Sequence, residues 1–179
     1  MIDVALAMTE RAEHMNDSAG AVSPFTAMQN KVRGSNINHQ TLLATDFLNH
    51  FNEVAMIFEM LADVPECLDD IRAWRPKTYK EHFVDSAFSD KNLAIEAYDH
   101  VPKQYLLPFE TTIEKTNSLI IDSVGRLEAA TALGEREHIE LATAGICHDL
   151  HEFMSILRGI IHGAVDTLKQ DEIDTLLDC

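Results

Sequence analysis

The sequence predicts an all-α fold: a helical bundle of three to four long helices, with a cluster of short helices between the first and second long ones. Three observations point there. Gly (7) and Pro (5) are scarce in 179 residues, so the chain has few places to turn. Apolar residues recur every three or four positions over long stretches, the period of a helix buried on one face. Proline and glycine are placed where such stretches stop, as at Val64-Pro65 and Gly134.

Residues 1–17 read as weakly helical, and Asp17-Ser18-Ala19-Gly20 breaks them. Ser23-Pro24 supplies a cap and a first-turn proline for a short helix ending at Gly34. Residues 1–37 therefore read as an N-terminal arm with short helices, and 38–179 as the bundle domain. The first long helix is expected over about 38–62, with Leu43, Phe47, Phe51, Val54, Phe58 and Leu61 as its buried stripe.

PECLDDIRAW, TYKEHFVDSAF and SDKNLAIEAYDHV then read as short helices, the last capped by Ser89. A second long helix is expected over 109–133, after Pro108, striped by Phe109, Ile113, Thr116, Ile120, Val124 and Leu127. The longest should run over about 135–168, seamed by Ile139, Ile146, Leu150, Phe153, Leu157, Ile160 and Ala164. Lys169-Gln170-Asp171 reads as a turn into a short terminal helix.

Acidic residues outnumber basic ones 30 to 14, for a formal charge of -16. Without a local basic cluster, such a chain repels phosphate backbones, so neither nucleic acid nor an anionic membrane is an expected partner. Cys67, Cys147 and Cys179 form no CxxC pair, which fits free thiols in a reducing cytoplasm. The start, MIDVALAMTERAEH, does not read as a secretory signal, and no apolar run is long enough to span a bilayer. A cytoplasmic protein is the expectation.

Nucleotide-loop, zincin and serine-hydrolase signatures are missing, and Cys147 and His148, adjacent on a helix, point about 100° apart. Histidine stands out, with nine in the chain. Asp46, His50 and Glu53 are spaced four and three apart, so they share one helix face, with His50 inside the apolar stripe. His148 and His151, spaced i,i+3 on the longest helix, project opposite its core seam, and Ser155, Gly159 and His162 continue that outer stripe.

Three readings compete. In the first, Asp46, His50, Glu53, His148 and His151 converge from two helices on non-haem iron, manganese or zinc, borderline ions that favour imidazole and carboxylate. A redox or sensor role would follow from a redox-active ion. The single Glu-x-x-His, Glu135 to His138, lies at a helix start and does not fit a ferritin-like di-metal set.

In the second, CHDLHEFMSILRGI resembles the phospho-accepting helix of sensor kinases, with Phe153 in place of the usual proline. That resemblance implies a stand-alone phosphotransfer protein with His148 as acceptor and a response regulator as partner. In the third, the outer stripe is a wet face or the seam of a homo-oligomeric scaffold, and His50 is a core-edge histidine held by a carboxylate. Tyr79, His82, Asp85 and Ser86 form a minor candidate pocket, and Glu110, Glu114 and Asn117 share a flank of the second long helix.

Overall fold

The computed structural model describes residues 22–164. Among them the fold is all-α, with one isolated antiparallel bridge, Ile37 to Ala44. Seven helices follow in order: α1 Pro24–Lys31, α2 Asn49–Met60, α3 Leu68–Ala73, α4 Tyr79–Asp85, α5 Lys91–Tyr98, α6 Lys103–Leu133 and α7 Arg136–Ile161. Two 3-10 turns, Thr45–Leu48 and Pro65–Cys67, lead into α2 and α3. The expected helices before Asp17 and after Asp171, together with Cys179, lie outside the described residues.

α6 and α7 form an antiparallel hairpin closed at Gly134, whose left-handed φ of 70° ends α6. α2 packs against α7, and α3 to α5 make the short-helix cluster that completes the core against α6. Most of the stripes read from the sequence are buried: Phe47, Phe51, Phe58, Phe109, Ile120, Leu127, Ile146, Leu150 and Leu157 are all wholly inside, whereas Val124 is only half-buried and Ala164 lies past the end of α7. Met28, Val32 and Ile37 enter the same core, so α1 is packed onto the bundle, with Lys31 bridging to Glu96 on α5.

Helix limits depart from expectation in four places. The segment 38–44 is not helical. The Asn38 side chain accepts hydrogen bonds from the backbone of Gln40 (2.8 Å) and Thr41 (3.1 Å), turning the chain before a helix can nucleate. Leu42 then takes a left-handed φ of 65°, a strain worth roughly 1–2 kcal/mol that its complete burial offsets.

α6 starts at Lys103 and carries Pro108 inside it. Proline removes one backbone donor there, but Tyr105 and Phe109, one turn apart, both bury on the same face and hold the extra turn. At 31 residues α6, not α7, is the longest helix. α7 stops at Ile161, where Gly163 turns with φ 93°. Asp90 rather than Ser89 precedes α5, and its carboxylate receives the Asn36 backbone N–H instead of capping the helix.

The turn leading to α2 is tied to the C-terminal end of α7. Buried Thr41 donates its hydroxyl to the Ile161 carbonyl at 2.7 Å, and the Ala44 N–H donates to the Tyr79 hydroxyl at 2.9 Å. A Thr41→Val variant keeps the shape but leaves the Ile161 carbonyl without that donor. Urea unfolding should show it less stable by about 1–3 kcal/mol; an unchanged midpoint would show that the bond contributes nothing net.

Candidate functional site

A polar pocket of about 460 Å³ opens where α2 faces α4, and its lining includes Asp46, Asn49, His50 and Glu53 from the first segment. Lys77, His82, Asp85 and Ser86 close it from the other side. Helical spacing explains the first group: Asp46 in the 3-10 turn, then His50 and Glu53 on α2, share one face. The second group is positioned by the start of α4, where Thr78 and Glu81 form a reciprocal capping box that fixes how the 74–78 segment enters the helix.

His50 is 4% exposed and occupies the pocket's inner wall. Its Nε2 accepts the Lys77 backbone N–H at 3.2 Å, which leaves Nδ1 to carry the proton of the neutral ring. The ring stacks on Trp74 at 4.9 Å between centroids and lies 6.2 Å from the His82 ring. Burial, then the nearby His82 and Lys77 charges, push the His50 pKa down to about 4. Burial also lowers His82, partly offset by its hydrogen bond to the backbone of Asp46. Both imidazoles are therefore uncharged at neutral pH.

Lys77 is engaged by Asp85 at 2.8 Å, whereas Asp46 and Glu53 make no ion pair among the described residues. The lining thus carries an excess of negative charge beside two neutral rings. Of the minor candidates, His82, Asp85 and Ser86 line this pocket, while Tyr79 is buried beneath it, its ring packed 5.3 Å from Phe47. Glu110, Glu114 and Asn117 line a neighbouring pocket with Tyr98, whose hydroxyl donates to Glu110 at 2.9 Å.

His148 and His151 do not line the His50 pocket. His148 is 72% exposed on the outer face of α7, with Nε2 3.7 Å from Glu152. His151 faces Glu59 of α2 at 3.8 Å. Among the described residues no three His, Cys, Asp or Glu side chains are already arranged to hold a metal ion. The Cys147 thiol is pushed up to about 11 by burial and by Glu59, so it stays protonated and poorly nucleophilic. Among the described residues no helix is long and apolar enough to cross a membrane.

The partner of His50 that sequence spacing missed is His82. The two are brought together by the fold of α4 on α2, and only the minor grouping of His82 with Asp85 and Ser86 hinted at a pocket there. No family model matches the chain, and no curated protein or solved structure matches it.

The His50 shift fixes a pH dependence. Its folded pKa lies below the unfolded value of 6.5, so between about 4 and 6.5 the unfolded chain binds a proton that the folded chain refuses. The associated stability is complete above pH 6.5 and is lost as pH falls towards 4, by on the order of 3 kcal/mol. Urea midpoints taken in the presence of a chelator should fall across that window, and less steeply in His50→Gln. Equal slopes for the two proteins would assign the acid sensitivity to other groups.

Proposed function

We propose that this protein binds a small cationic ligand in the pocket between α2 and α4. The observation that carries the reading is the charge balance of the pocket: Asp46 and Glu53 make no ion pair among the described residues, Lys77 is ion-paired with Asp85, and His50 and His82 are held in their neutral forms. A cation entering there meets carboxylates without displacing a resident positive charge. The volume suits an organic ammonium compound. A divalent transition-metal ion, the reading built on Asp46, His50 and Glu53, belongs to the same class and draws support from the two neutral imidazoles. His82 then takes the place given to His148 and His151, and the carboxylates must turn to converge on the ion.

Titration calorimetry on chelator-treated protein separates the two sources, with zinc and manganese ions in one arm and primary alkylamines in the other. Binding in at least one arm is expected. It should weaken about tenfold or more in Asp46→Asn/Glu53→Gln, and remain unchanged in His148→Ala/His151→Ala. No binding in either arm, or binding indifferent to the loss of both carboxylates, would refute the proposal.

A second reading rests on the exposure of His148. A phosphoacceptor imidazole must be reachable by a partner's active site, and His148 projects from α7 with Glu152 near its Nε2. Incubation with a phosphorylated receiver domain should then leave acid-labile phosphate on the wild-type chain and none on His148→Ala. Equal labelling of both proteins would dispose of this reading.

A further inference from the structure

The pocket around His50 does not end at Asp46. A second polar depression of about 410 Å³ continues past it, sharing Asp46 and Asn49 as lining residues. Its far side is Asn52, Arg158 and His162, the last two from the C-terminal end of α7. Arg158 lines the depression and makes no ion pair among the described residues. The two depressions thus adjoin at Asp46 and Asn49 and differ in charge: the first has more carboxylates than cations, and the second sets the Arg158 guanidinium against Asp46 alone. Asp46 and Glu53 lie towards one end, and Arg158 with the amides of Asn49 and Asn52 towards the other.

We infer that the ligand is zwitterionic: an ammonium group held by Asp46 and Glu53, and a carboxylate, or an anion of like geometry, held by Arg158 with Asn49 and Asn52. This rests on the cation reading of the His50 pocket and specifies what lies at the ligand's other end. Arginine suits that end because its planar fork can give two parallel hydrogen bonds to a carboxylate. Asp46, standing between the two depressions, disfavours a ligand that is purely anionic. The arrangement accordingly selects for charge separation along the ligand and not for charge alone.

The test compares, on chelator-treated protein, butylamine and hexylamine with the ω-amino acids of the same chain lengths. At one length at least, the amino acid should bind about tenfold more tightly than the amine, and Arg158→Gln should abolish that preference by weakening the amino acid and not the amine, which gains from the loss of a nearby positive charge. Arg158 is exposed, so the variant is expected to keep the wild-type fold, which circular dichroism checks. Equal affinities for the two compounds, or a preference that survives Arg158→Gln, would overturn the zwitterion inference and leave the cation reading standing. Failure of both amines and amino acids to bind would overturn the zwitterion inference, and the cation reading would fall with it only if zinc and manganese ions also failed to bind.

Discussion

The Phe47 ring is the contact on which the site and much of the core converge. It is wholly buried and packs within 5.3–5.7 Å of Phe51, Tyr79, His82 and Phe109. Those four neighbours come from α2, α4 and α6, so one side chain on a 3-10 turn sets the spacing of three helices. Edge-to-face and tilted ring pairs prefer particular geometries as well as burial, which orients the partners. His82 is aimed by its edge contact with Phe47, and His50 lies one helical turn beyond Phe47's own position. The polar pocket is thus the outer surface of an aromatic cluster, and its shape is as rigid as the packing underneath.

That dependence explains why neutral imidazoles are tolerated there. A charged ring beside Phe51 and Trp74 would lose hydration with little to replace it, whereas a neutral one gives up less and gains a backbone partner at Lys77. On a chain of net charge -16, the acidic surface raises the local concentration of cations around the pocket mouth. The short-helix cluster carries a capping box and exposed ion pairs such as Lys80 to Asp99, which individually contribute little. Its place is decided by Tyr79, Phe83, Ala94 and Ala97, all buried.

Much of this was legible in the sequence because burial repeats with the helical period. Phe47, Phe51, Val54 and Phe58 announce α2, and the outward projection of His148 follows from the seam of Ile146, Leu150 and Phe153. What was not legible is non-local. Nothing in the neighbourhood of Pro108 says that Tyr105 will be buried and so extend α6 past a proline. Nothing near Asn38 says that its side chain will capture two backbone donors. The same limit hides the site: spacing places Asp46, His50 and Glu53 on one face, but the choice of His82 over His148 as their neighbour depends on how α4 and α7 dock.

The bond from Thr41 to Ile161 spans 120 residues. The turn that presents Asp46 is therefore fastened by the last turn of α7, after every other helix described here has been made. On a ribosome, where folding tracks emergence of the chain, α1 to α6 can begin to collapse while the turn before Asp46 is still unlatched. Fixing of that turn is then a closing event, coupled to arrival of the α7 end, and the segment that carries Asp46 takes its final place only when the chain has folded through to that point.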